Sequence, residues 1–133
     1  RIAVLGVGCR RGIGQQAMEE AFAALLAQSG LCAEAFYKVC SIDLKRDEPG
    51  LRAFCAAHGF AFETFSAAQL AAVEGRFSSS GFVQSVTGVD NVCERSAVLG
   101  SGGTLYCKKQ AGGGVTMAAA MAPFAPDWRW QDE

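Results

Sequence analysis

Histidine is nearly absent from this chain: His58 is the single one among 133 residues, and the six cysteines include no Cys-x-x-Cys pair. The ligand spacings of a protein-built zinc site are therefore missing, and no metal and no cofactor is expected. Long apolar runs are missing too. Gly, Lys, Asp or Glu interrupts each of them well before the ~20 residues that a membrane span requires. Nor is there an excess of charge of one sign, since 12 Lys and Arg stand against 13 Asp and Glu for a net charge of −1. No field over the whole molecule can then hold a nucleic acid or an anionic membrane, and neither is expected as a partner. Any anion must be met locally. No basic leader precedes the apolar start, so the expected location is cytoplasmic, and Arg1 is not expected to be the natural first residue.

What is present is a composition that folds: 50% of the residues are apolar and 19% charged. The length suits one compact domain. Cys9, Cys32, Cys40, Cys55, Cys93 and Cys107 are scattered, several of them in apolar runs where a thiol acts as a small hydrophobe. Reduced thiols are expected, because a core this apolar does not need disulfides.

Along the chain, strand and helix signals alternate. Residues 1–7 (RIAVLGV) form a short apolar run ending in glycines, the pattern of a buried parallel strand. Beyond the loop Gly8–Gly14, Met18, Phe22, Leu25 and Leu26 recur at helical spacing, and Gly30 stands where a C-terminal cap belongs. Phe36–Ile42 is rich in strand formers, and Pro49 then opens a helix that turns Leu51, Phe54 and Cys55 inward and stops at Gly59. Phe60–Phe65 resumes a strand. Ser66 and Gln69 make a capping box for a helix through Leu70 and Val73, and Asn91 caps another that reaches about Leu99. Arg76–Asp90 reads as a surface loop or short helix. Gly103–Lys108 and Val115–Met121 read as paired strands joined by the mobile segment 109–114. The predicted fold is α/β, a three-layer sandwich with a mixed, mostly parallel central sheet.

In open α/β sheets, ligands bind beyond the carboxyl ends of the strands. Three basic doublets, Arg10-Arg11, Lys45-Arg46 and Lys108-Lys109, each follow a predicted strand, which suits a polyanionic ligand. Guanidinium groups offer paired hydrogen bonds to carboxylate or phosphate, so Arg10 and Arg11 are the leading contacts. The first loop fails the G-x-G-x-x-G template, since Arg11 stands where its third glycine belongs, and no phosphate loop follows. Its glycines still let backbone amides approach an anion, and Cys9 beside two arginines could have a lowered pKa. Asp43, Asp47 and Glu48 bracket Lys45. One of these carboxylates could orient a water; Lys45 could equally pair with Asp47, and the acids could simply complement the helix dipole. Ser78, Ser79, Ser80 and Thr87 lack an activating partner.

Three segments together resemble one family. They are Gly6–Gly12 (GVGCRRG), Ile42–Leu51 (IDLKRDEPGL), and the stretch from Val83 to Thr87-Gly88 with Val92 and Glu94 beyond; Lys108 and the Val115–Ala119 region match the end of the same domain. The resemblance is to the CobE family of cobalamin biosynthesis, which is also the C-terminal domain of CbiG, and it spans nearly the whole chain. It implies action on, or carriage of, a precorrin of the corrin-ring pathway. Proteins similar to two-domain CbiG open a δ-lactone on the macrocycle and release acetaldehyde. The sequence shown lacks their N-terminal domain and so resembles freestanding CobE.

Residues and resemblance together name candidate ligand contacts at Gly8, Cys9, Arg10, Arg11, Gly12, Lys45, Thr87, Gly88 and Lys108. Asp43 and Glu48 are the candidates for catalysis if chemistry occurs. The expected partner is a precorrin-type tetrapyrrole, with other pathway enzymes as further partners. The alternative is a non-catalytic carrier or scaffold that hands intermediates on, for which Trp128 and Trp130 would suit a protein contact.

Overall fold

The structure, a computed structural model, describes residues 3–73 and 91–122. Five strands, β1 (Ala3–Cys9), β2 (Phe36–Ile42), β3 (Ala61–Phe65), β4 (Thr104–Gly112) and β5 (Val115–Met121), form one sheet in the order β3-β2-β1-β5-β4. β1, β2 and β3 pair in parallel, and β5 lies antiparallel between β1 and β4. The sheet is thus mixed, with β4 running in the direction of the three parallel strands.

Alternation along the strands creates two buried faces. Ala3, Leu5 and Val7 of β1 turn to one face and Val4 to the other. The first face is covered by α1 (Gln15–Ser29) and α2 (Pro49–His58), and the second by α3 (Ala67–Ala71) and α4 (Val92–Ser101). Three layers result. On the α1–α2 side, Phe22 meets Phe36 and Phe54 edge-on with centroids 5.4 Å apart. Burial of each such side chain is worth about 1.5–3 kcal/mol, and the edge-to-face pairing adds about 0.5–1.5.

Local signals set the helix ends. Gly30 and Gly59 close α1 and α2 in the left-handed conformation, Pro49 occupies the first turn of α2, and Ser66 and Gln69 make their reciprocal bonds at α3. α3 is shorter than its pattern suggests, ending at Ala71, and α4 is longer, reaching Ser101.

The last hairpin differs from the sequence reading. Its mobile connector was expected over 109–114, but β4 continues to Gly112 and leaves only Gly113 and Gly114 as the tip. Both have positive φ, 62° and 84°, as tight hairpin turns that match the strand twist require. Lys108 and Lys109 therefore lie inside a strand rather than after one. The segment Arg76–Asp90, with Ser78, Ser79, Ser80, Thr87 and Gly88, and the tail with Trp128 and Trp130, lie outside the described residues.

Candidate functional site

Beyond the carboxyl ends of β1, β2 and β4 opens a cavity of about 820 Å³, bounded also by the start of β5. Strand order explains its place. From β1 the chain leads through α1 to β2 on one side, whereas the other neighbour is β5, so the loops part at this point as they do at the switch point of open α/β sheets.

β1 delivers the first basic doublet. Its last residues, Gly8 and Cys9, and then Arg10 and Arg11, line the cavity. Gly8 has no room for a side chain, since a Cβ there would stand 2.7 Å from the Thr116 hydroxyl, which itself donates to the Gly8 carbonyl. The Arg10 N–H donates to the Gly114 carbonyl at 3.0 Å, tying this loop to the hairpin tip. β2 ends in Ile42 and a short 3-10 turn, Asp43–Lys45, which brings Leu44 and Lys45 to the cavity. Leu44 is 67% exposed there.

The third doublet is split. Between Cys107 and Gln110, β4 carries a bulge against β5, and such an extra residue rotates the side chains after it. Lys109 lines the cavity; Lys108, a sequence candidate, is exposed and is not part of the lining. The bulge is held from behind. Glu94, wholly buried in the first turn of α4, accepts the Lys109 N–H at 2.7 Å and the Asn91 side-chain amide at 2.7 Å. Asn91 also lines the cavity, in the left-handed conformation with φ 52°.

The ion pairs among the described residues are Lys38–Glu63, Arg46–Asp43 and His58–Glu19. None of these involves Arg10, Arg11, Lys45 or Lys109. Four cations on three chain segments thus face one cavity without a carboxylate partner among the described residues.

The acids sort differently. Asp43 lies outside the lining, 3.7 Å from the Arg46 guanidinium. Glu48 is in the wall, with Oε1 accepting the Gly12 N–H at 3.0 Å. Gly12 is not among the lining residues and is joined to the wall by that bond. Asp47 also lines the cavity and makes no hydrogen bond or ion pair among the described residues. Of the sequence candidates, then, Gly8, Cys9, Arg10, Arg11, Lys45 and Glu48 come together, while Asp43 and Lys108 stand apart. Lys109, Asp47 and Asn91 are added to them. Choosing between Lys108 and Lys109 required the bulge, which no local pattern announces.

Cys9 departs from its expectation. Burial pushes its thiol up to about 11; nearby Lys45 opposes this and Glu48 adds to it. The loss of solvation outweighs the neighbouring cation, so the thiol stays protonated rather than activated. At pH 8 Cys9 is then held in the neutral form. Iodoacetamide at that pH should modify exposed Cys32 and leave Cys9 intact, as peptide mapping by mass spectrometry would read. Labelling of Cys9 at the rate of Cys32 would contradict the assignment.

Among the described residues no group of three or more His, Cys, Asp or Glu side chains could hold a metal ion, and no helix is long and apolar enough to cross a membrane.

A cation-lined cavity at this place in an α/β sheet suits the polyanionic ligand that the basic doublets predict, and comparison with known proteins decides the family. Residues 3–120 match the family described as cobalamin synthesis G C-terminus. The chain belongs to this family. Its relatives include the cobalt-precorrin-5A hydrolases of Priestia megaterium, 30% identical over 93% of this chain, and of Salmonella typhimurium (strain LT2), 34% identical over 90%. The chain spans about a third of the length of these curated relatives, 33% and 34%. Among solved structures, CobE, a protein from the cobalamin biosynthetic pathway, superposes with a TM-score of 0.85 at 28% identity, over 92% of this chain and 91% of that one. Family membership puts the chain in cobalamin biosynthesis.

Proposed function

We propose that this member of the cobalamin synthesis G family binds a precorrin in the cavity at the ends of β1, β2 and β4. The observation that carries this reading is the set of four cations, Arg10, Arg11, Lys45 and Lys109, facing one cavity of about 820 Å³ without carboxylate partners among the described residues. A precorrin is a flat ring edged with acetate and propionate arms. Separate cations around an opening can take separate arms, whereas Ile42, Leu44, Val92 and Val115 in the same wall offer apolar surface to the ring. The volume is in the usual range of small-molecule sites. Two of the relatives are named hydrolases of cobalt-precorrin-5A, and that compound is the first ligand to try.

Turnover is a separate question from binding. Lactone hydrolysis adds water across the ring ester: the acyl C–O bond breaks, leaving a carboxylate on one side and a hydroxyl on the other. Asp47 lines the cavity and is not engaged by another group among the described residues, which supports it as the side chain that would take a proton from that water.

Visible-absorbance titration with cobalt-precorrin-5A tests the reading. A saturable spectral change that ATP and NAD do not compete away is expected, and no change would overturn the proposal. Mass spectrometry of the ring recovered from the same mixture separates an enzyme from a carrier, because an enzyme adds one water to it and a carrier returns it unchanged.

A further inference from the structure

We infer that Glu48 is a positioning residue for the cation ring rather than the base that activates water, an inference that rests on the tetrapyrrole reading above. Its two halves bind two different basic segments. Through its backbone, Glu48 donates to the Lys45 carbonyl at 3.2 Å, which closes the turn carrying Lys45. Through its side chain, Oε1 accepts the Gly12 N–H at 3.0 Å, one residue beyond the Arg10-Arg11 doublet. The same loop is pinned at its other end, where the Arg10 N–H meets the Gly114 carbonyl at the tip of the hairpin that carries Lys109. Glu48 therefore links the Lys45 turn to the arginine loop, and the Arg10–Gly114 bond carries that frame on to the hairpin.

Close packing shows that the contact is built into the fold. The arginine loop lies so tightly on the first turn of α2 that a Cβ at Gly50 would stand 2.1 Å from the Ile13 carbonyl oxygen and 2.9 Å from the Gly14 carbonyl carbon. With the backbones this near, the Glu48 side chain needs no long reach to find Gly12. Holding Arg10 and Arg11 in place before the ligand arrives spares part of the ordering cost that two long side chains on an exposed loop would otherwise impose on binding.

The test compares Glu48→Gln with Glu48→Ala. Both remove the negative charge, and only the first keeps an oxygen that can accept the Gly12 N–H. The probe is uroporphyrin, a stable polycarboxylate porphyrin, titrated by absorbance against wild-type protein and both variants, with amide hydrogen exchange at Gly12 measured in the free proteins. E48A should bind the probe at least about threefold more weakly than E48Q, and its Gly12 amide should exchange faster. Equal affinities of the two variants, or equal exchange at Gly12, would overturn the inference. Wild-type protein that fails to bind the porphyrin would count against the tetrapyrrole reading instead, and exchange at Gly12 would still decide whether Glu48 holds the loop. If precorrin turnover is found, loss of it in E48Q with affinity intact would make Glu48 a base and overturn the positioning role.

Discussion

Replacing Arg10 and Arg11 together with alanine should leave the protein folded and weaken its binding of a polycarboxylate tetrapyrrole about a hundredfold or more. Both side chains are exposed at the cavity mouth and make no ion pair among the described residues, so their removal strips no partner from the free protein. A charge-assisted hydrogen bond contributes about 1.5–3 kcal/mol. Because these arginines are solvated before binding, the lower end applies, and two such losses make about 3 kcal/mol, or about two powers of ten in Kd. Salt offers an independent readout. Wild-type affinity should fall as ionic strength rises, and the double variant should show a shallower dependence because fewer charges remain to screen. An unchanged absorbance titration in the double variant would remove the arginines from the site, and with them the main support for the ligand class.

The second large effect concerns the sheet beneath the cavity. Gly6→Ala should lower Tm by about 10 °C or prevent folding. Gly6 lies in β1 where α4 crosses it, and a Cβ there would stand 1.8 Å from the Cys93 carbonyl oxygen and 2.9 Å from the Ala97 Cβ. Backbone rather than a flexible side-chain end is in the way, so α4 as a whole must move. Overpacking of a tight core costs about 1–3 kcal/mol, and this contact belongs at the upper end or beyond because no rotamer change relieves it. Against a total stability of about 5–15 kcal/mol, such a loss is severe. α4 carries Asn91 and Glu94 at its start, so displacement would also release the Lys109 bulge and reduce ligand affinity in whatever protein still folds. Gly112→Ala is the control, since nothing lies within 4 Å of a Cβ there. Circular dichroism melts of both variants check the pair; a Gly6→Ala melt within about 2 °C of wild type would mean that α4 does not pack on β1 at this distance.

These two sites differ in how much of them could be read without coordinates. Arg10 and Arg11 stand out in the sequence because they follow a buried strand and sit among glycines, and the structure places them at the cavity. Gly6 reads locally as just one more glycine in a strand that ends in several. Its significance comes from Cys93 and Ala97, nearly ninety positions further along, and nothing nearby in the chain encodes that crossing.

By itself the sequence determined most of the described elements and the two buried faces of the sheet, and its motifs carried the resemblance to the family. The elements and the buried faces rest on short-range physics: residue alternation in β1, the 3.6-residue recurrence of Met18, Phe22 and Leu25, left-handed glycines at 30 and 59, and the reciprocal cap at Ser66. Only the tertiary structure decided which of two adjacent lysines faces the cavity, that Asp43 is taken up by Arg46 while Asp47 is left open, and that Glu48 and Glu94 grip the backbones of the basic segments. Those choices depend on the order of strands, on the bulges in β4, and on hydrogen bonds between segments far apart in the chain. Local propensity specifies how a segment folds, but which segments become neighbours is settled when the whole core closes.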